Sequence, residues 1–355
     1  MSVEDLLRPE IRALRSYDAA LQETGALRLN ANEVPTSLLD IGASIELNRY
    51  PQVRPEKLCR LLATLYGATP EQLVVTRGSS EAIDLLIRAC CRAGSDRVLS
   101  LAPSFAMYEH YARIQACAFD QLELQAAKNF TATSDEILAA CAPETRILFL
   151  CSPNNPTGNS IPETVIDEVL RARAEQSLVV VDEAYVEFSS RPSVLPLLEK
   201  YNNLVVLRTL SKAGGLAGLR CGAALAAPSI VAALRCIQAP YAFATPVLDA
   251  TEAALASDLR DMRTAQIDET RHERQRLANG LSNSVLIDKI WPSDANFLLA
   301  KTGAMDELQR ICAEHDISLR FFGKTIPGCV RITVGSKPEN DRLLAVLNAT
   351  SRSAT

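Results

Sequence analysis

The feature that most constrains this chain is a series of short β-rich runs that are apolar throughout. Leu178–Val181 is the clearest: no polar residue alternates with the apolar ones. A strand with one wet face alternates, whereas a strand buried on both faces does not. The run therefore predicts a mostly parallel sheet covered by helices on both sides. Similar runs start at Leu73 (LVVT), Arg97 (RVLSLA), Arg146 (RILFLCSP), Leu204 (LVVLRTLS) and Leu219 (LRCGAALA). Helical stretches separate them. Ile83, Leu86, Ile87 and Cys90 recur at i, i+3, i+4, i+7, one face of a helix. Further helices are expected through Tyr108–Ile114 and from Pro162 to about Ala174. In open sheets of this kind, ligands sit beyond the carboxyl ends of the strands.

From Thr245 to Gly280 the sequence reads as one long, highly charged helix leading to a smaller α+β unit. That unit contains NFLLAK from Asn296, a helix near Met305–His315, ISLRFF from Ile317, CVRITVG from Cys329 and a terminal helix. The N-terminal stretch of about 30 residues is expected to pack with it. At roughly 150 residues per domain, 355 residues suggest two domains. The expected division is 1–45 as an arm and part of the small domain, 46–280 as the large domain with its connecting helix, and 281–355 as the small domain.

Composition narrows the function classes. The net charge is −5, and no long run of one sign suggests a nucleic-acid or membrane-surface partner. No apolar stretch reaches the roughly 20 residues of a membrane span. The start, MSVEDLLRPE, is acidic and lacks the apolar core of a signal peptide, so a cytoplasmic protein is expected. The ten cysteines show no CxxC pair and several lie in apolar runs, where a thiol packs as a small hydrophobe. The three histidines have no HxxxH spacing, so no metal site is expected.

Four segments carry chemistry. In TLSKAGGLAGLRCG, Lys212 follows an apolar strand beside Ser211, with Arg220 downstream. A lysine in a semi-buried cationic loop has the depressed pKa an amine nucleophile needs; a solvated lysine in a glycine loop is the plainer alternative. In SLVVVDEAYVEFS, Asp182 ends a buried strand, and a buried carboxylate needs a partner. A pyridinium nitrogen, a structural arginine or a backbone cap would each serve. Tyr185 could present its hydroxyl to the same ligand. In SPNNPTG, Asn154, Asn155, Pro156 and Gly158 form turns, and Asn155 could also bond a bound ring. In TRGSSEAI, Gly78-Ser79-Ser80 lies between strand and helix, where free N–H groups and the helix dipole favour a phosphate. Ser79 could equally be an N-cap.

Taken in order, these segments resemble the pyridoxal-phosphate-dependent aminotransferases of fold type I over nearly the whole chain. Within them the sequence is most similar to the histidinol-phosphate aminotransferase family, through RLNANEVP from Arg28, RYP at Arg49–Pro51, DEAYVEFS, LAGLRCG, WPSDANFLL and VRITVGS. The resemblance implies a large domain with a mostly parallel seven-stranded sheet between helices, a smaller α+β domain, and pyridoxal 5'-phosphate as cofactor. It implies that Lys212 bonds the cofactor covalently and shuttles the proton. Asp182 faces the pyridine nitrogen, Tyr185 and Asn155 bond the phenolic oxygen, and Tyr108 stacks on the ring. Gly78, Ser79, Ser80, Ser211 and Arg220 hold the cofactor phosphate, reached also by Tyr50 of a neighbouring subunit in a homodimer. Arg331 and Arg320 bind the anionic ends of glutamate and histidinol phosphate, and Tyr17 and Asn32 line the entrance. Gly214-Gly215 stands where the family has a bulky residue, so a looser lysine loop is expected. An aromatic amino-acid aminotransferase would share every cofactor residue. An amino-acid-phosphate decarboxylase would share the arginines. A pyridoxal-phosphate-binding regulator would need a DNA-reading module, for which no segment is spare.

Overall fold

The computed structural model describes residues 27–29, 32, 51, 54–256, 259–323 and 325–349. The strands among them are β1 (Leu27–Arg28), β2 (Leu73–Thr76), β3 (Arg97–Ala102), β4 (Ala118–Glu123), β5 (Thr145–Cys151), β6 (Leu178–Asp182), β7 (Leu204–Thr209) and β8 (Gly222–Ala226), followed by β9 (Lys289–Ile290), β10 (Phe297–Lys301), β11 (Ile317–Ser318), β12 (Arg320–Phe322) and β13 (Cys329–Thr333). The α-helices are α1 (Glu56–Tyr66), α2 (Gly78–Cys90), α3 (Met107–Ile114), α4 (Ser134–Ala139), α5 (Glu163–Ala172), α6 (Pro228–Ile237), α7 (Thr245–Ala256), α8 (Arg260–Leu281), α9 (Met305–Glu314) and α10 (Lys337–Ala349).

A seven-stranded sheet in the order β2-β8-β7-β6-β5-β3-β4 forms the larger layer. Only β8 runs against the others: it pairs antiparallel with β2 and β7, while the remaining pairs are parallel. Successive residues of a strand face opposite sides. Here both sides are core. Val179 and Val181 enter one apolar cluster with Leu148 and Leu150, whereas Val180 enters the other with Ile147 and Phe149. Helix α2 lays Ile83, Leu86 and Ile87 into that second cluster. This is the physical reason the central strands are apolar throughout.

The smaller sheet has four strands in the order β12-β13-β10-β9. Leu298, Ala300, Val330 and Ile332 pack beneath it on α8, α9 and α10. The alternate residues Phe297, Leu299 and Arg331 face the other way, toward the larger layer.

Two expectations needed correction, and one strand went unread in the sequence. The stretch from Thr245 is two helices, not one, with Leu259 outside both; α7 is largely apolar and the charge belongs to α8. ISLRFF is two strands: β11 pairs parallel with β1, whereas β12 pairs antiparallel with β13, so the chain changes sheets at Leu319. The edge strand β4 has no apolar run, because most of its residues are partly exposed. Packing of the N-terminal stretch on the small unit is seen at β1; the rest of that stretch lies outside the described residues.

Candidate active site

The carboxyl ends of β3, β5, β6 and β7 open into a cavity of about 340 Å³, closed from the other side by β12 and β13. Gly78, Ser79, Ser80, Asn155, Asp182, Tyr185, Ser211, Lys212, Arg220, Asn32, Arg320 and Arg331 all line it. Tyr17 and Tyr50 lie outside the described residues.

At one end, β2 turns directly into α2. Gly78 has φ +72°, a left-handed conformation that favours glycine, and an added Cβ would lie 2.7 Å from Arg220 Nη2. Arg77, not Ser79, is the N-cap, and no side chain caps it. The first N–H groups of α2 therefore point out beside a guanidinium. Arg220 itself has φ 52°, a strained value for a non-glycine residue, and its Nη1 donates to Ser211 Oγ at 3.3 Å. Amides at a helix start, a serine hydroxyl and an arginine together suit a phosphate. This end fits the phosphate of the cofactor that the resemblance implied.

At the centre, Asp182 ends β6 and is 2% exposed. Its Oδ2 accepts from the Tyr108 hydroxyl at 2.8 Å and its Oδ1 from the Ala184 N–H at 3.2 Å. Burial pushes its carboxyl up to about 6, against the pull of Tyr108, Ala184 and Lys212. The neighbouring Glu183 is also buried, but it pairs with Arg208 at 3.3 Å instead of entering the cavity. Of the candidate partners for Asp182, the structural arginine thus serves Glu183.

Tyr185 is buried, and burial pushes its phenol up to about 12. Its hydroxyl accepts from Asn155 Nδ2 and from Asn32 Nδ2, each at 3.4 Å. Lys212 Nζ stands 5.6 Å from the Tyr185 ring centre. The two asparagines of SPNNPTG part company. Asn154 bonds the Pro103 carbonyl and Thr157 within the turn, whereas Asn155 turns into the cavity and accepts from Arg331 Nη1 at 2.5 Å. Asn32 is 1% exposed and tied to β13 through Thr333.

The Lys212 loop is closed by Gly215 N–H to the Lys212 carbonyl and Leu216 N–H to the Leu210 carbonyl, both at 3.0 Å. A Cβ on Gly214 would lie 2.6 Å from the Leu210 carbonyl oxygen. Gly214 answers to close backbone approach and Gly215 to a left-handed φ of 66°, reasons other than looseness.

Tyr108 is the residue whose expected place needs correction. It is not among the residues lining the cavity. Its ring stacks on Phe149, with centres 4.5 Å apart and planes 7° apart. Phe105, edge-on to Tyr108 at 5.7 Å, lines the cavity instead. Sequence reasoning also missed Thr209, Ser104 and Phe322 in the lining. For Ser104 the signal was available: it lies two residues past the carboxyl end of β3.

The other wall is set by strand register. Arg320 and Arg331 are directly opposed across β12 and β13, and both line the cavity. Like charges directly opposed in a sheet repel each other. An anion between them would accept charge-assisted contacts from both.

Comparison with known proteins adds the following. The family model described as aminotransferase class I and II matches residues 21–347. A histidinol-phosphate aminotransferase of Xylella fastidiosa (strain 9a5c) is 41% identical over 353 residues, which cover 98% of this chain and 96% of that protein. One from Salmonella typhi is 37% identical over 361 residues, covering 98% of each. Among solved structures, the histidinol-phosphate aminotransferase of Sinorhizobium meliloti in complex with pyridoxal-5'-phosphate matches with a TM-score of 0.83 and 24% identity, over 97% of this chain and 96% of that one.

Proposed function

This chain belongs to the histidinol-phosphate aminotransferase family of the class I and II aminotransferases, and from that premise we propose that it exchanges an amino group between histidinol phosphate and 2-oxoglutarate, reversibly, as a step of histidine biosynthesis. The observation that carries the substrate class is the opposed pair Arg320 and Arg331 in the cavity wall. Both substrates bring a second anion, a phosphate in one and a side-chain carboxylate in the other. Guanidinium forks pair with either, where an ammonium would act only as a point charge.

Pyridoxal 5'-phosphate is the cofactor of this proposal. When bound, it supplies the electron sink for the charge left after the substrate α-proton is removed. The helix-start amides of Gly78, Ser79 and Ser80, with Ser211 and Arg220, hold its phosphate. Asp182, as a carboxylate, keeps the ring nitrogen protonated. Asn155 and Tyr185 bond the ring oxygen, and Phe105 covers the ring in place of Tyr108. Lys212 would hold the cofactor covalently through its amine and, once freed, would move the substrate α-proton. Such a proton-transfer group contributes roughly a hundred- to ten-thousandfold. Arg331 serves both half-reactions and Arg320 mainly the phosphate, with Asn32 and Tyr17 at the entrance.

Tyr50 reaching the neighbouring subunit's cofactor phosphate makes a homodimer the working unit of this proposal, and the cytoplasm its compartment. No described helix is long and apolar enough to cross a membrane. The division at 1–45, 46–280 and 281–355 belongs to the same reading, with α8 as the connecting helix: Arg271 bonds the Glu187 and Ser189 carbonyls of the larger unit, whereas Leu277 and Leu281 pack under the smaller sheet. The test is a comparison of Arg320→Ala with the parent. Its Michaelis constant should rise more for histidinol phosphate than for glutamate, and an equal rise refutes the division of labour between the arginines.

A further inference from the structure

We infer that Tyr108 is a positioning residue for the reaction: from outside the cavity, its hydroxyl holds the Asp182 carboxylate ionised and aimed at the cofactor ring. This rests on the reading of Asp182 as the partner of the ring nitrogen. Three observations support it.

The hydroxyl donates to Asp182 Oδ2 at 2.8 Å, and among the described residues the Ala184 N–H is the donor to the other oxygen, at 3.2 Å. Next, the tyrosine ring cannot wander. It is 1% exposed, stacked on Phe149 at 4.5 Å and met edge-on by Phe105 at 5.7 Å. Phe149 belongs to β5, the strand paired with β6, so the donor is fixed to the same sheet as its acceptor. Finally, the proton stays on the tyrosine. Burial, and then the charge of Asp182, hold the Tyr108 phenol well above its ordinary value. The pair is therefore a one-way donor and acceptor.

Such a donor is needed because Asp182 lies where burial favours its neutral form. A neutral Asp182 would no longer hold a proton on the ring nitrogen. The groups that face it are few. Cys151, opposite it on β5, is itself pushed up to about 12 by burial and stays neutral. Tyr185, on the following loop, is neutral for the same reason. Lys212, after β7, supplies the cationic attraction. Tyr108 is the neutral side-chain donor, and it is set by packing alone.

The experiment compares the parent, Tyr108→Phe, Asp182→Asn and the double variant. Readouts are the pyridoxal 5'-phosphate dissociation constant of the apoprotein at pH 6 and pH 8, kcat, and the acid limb of kcat/KM against pH. Tyr108→Phe keeps the stack and loses one hydrogen bond to a charged acceptor. It should lower kcat roughly ten- to a hundredfold, weaken cofactor binding more at pH 6 than at pH 8, and move the acid limb to higher pH. In the Asp182→Asn background the same change should do almost nothing further. Equal effects in both backgrounds would make Tyr108 merely structural and overturn the inference. Unchanged binding and pH profile in Tyr108→Phe, with Asp182→Asn impaired, would overturn it alone. Unimpaired Asp182→Asn would overturn the underlying reading as well. Phe149→Leu loosens the ring but keeps the hydroxyl, and should move the acid limb the same way by less. It decides the matter should Tyr108→Phe fold poorly: no movement then overturns the inference.

Discussion

The two walls of the cavity are built on opposite electrostatic plans. On the larger sheet a single carboxylate, Asp182, is buried and held by neutral donors, Tyr108 and the Ala184 amide. On the smaller sheet two cations, Arg320 and Arg331, are pressed into register with each other. The first wall is organised before anything binds. The second presents two guanidinium-bearing residues opposed in the strand register, with Arg331 donating to Asn155 Oδ1. On the proposed reading the first wall holds the cofactor and the second receives the anionic end of the substrate. The buried carboxylate spends some stability of the free protein at a functional site.

The largest effect should come from the cofactor wall. Lys212→Ala should abolish turnover and the absorbance of lysine-bound cofactor; a retained band would place the covalent link elsewhere. Asp182→Asn should follow, losing most activity and binding cofactor less tightly, as steady-state kinetics and equilibrium dialysis would show. Its stability should move the other way. The carboxyl ordinarily titrates at 3.8 and in the folded protein at about 6. Between those values the folded state holds a proton that the unfolded state has lost. The stability of the cofactor-free protein therefore falls as pH rises across that window. Asp182→Asn cannot ionise, so its melting temperature should lack that fall. A parent melting temperature flat from pH 4 to 6.5 would contradict the sign.

On the arginine wall the comparison sharpens. Arg331→Lys should lower kcat/KM in both half-reactions by roughly tenfold or more, since an ammonium lacks the bidentate fork. Gly214→Ala tests the lysine loop: a Cβ against the Leu210 carbonyl should cost roughly 1–3 kcal/mol by denaturant melts. The smallest effect should be that of Arg320→Ala on the ligand-free protein. Loss of one partly exposed side chain should change its stability by no more than about 0.5 kcal/mol. A clear loss would show the two arginines to be structural partners.

The central strands were legible because burial on both faces leaves unbroken apolar runs at Ile147–Cys151, Val179–Val181 and Leu204–Leu207. The edge strand β4 was not, since its partly exposed residues carry no apolar run. Gly78 could be read because its turn restricts the residue type, and Asp182 because a carboxylate ending a buried strand needs a partner; Lys212 took its role from the family resemblance, since a lysine in a glycine loop also reads as solvated. Tyr108 could not. Sequence order says that an aromatic follows β3, but only the packing of α3 decides that Phe105 faces the cavity and Tyr108 faces Phe149. The arginine pair was visible as two separate residues; their opposition depends on the register of β12 with β13, which no local pattern encodes. The same holds for Glu183 and Arg208, whose pairing crosses from β6 to β7.

The most direct test of the account is a paired assay of the purified protein with pyridoxal phosphate and 2-oxoglutarate, offering histidinol phosphate and phenylalanine separately. The account predicts a kcat/KM much higher for histidinol phosphate, because only that substrate places a phosphate between Arg320 and Arg331. Equal efficiencies, or a preference for phenylalanine, would contradict it and leave the opposed arginines without their proposed ligand.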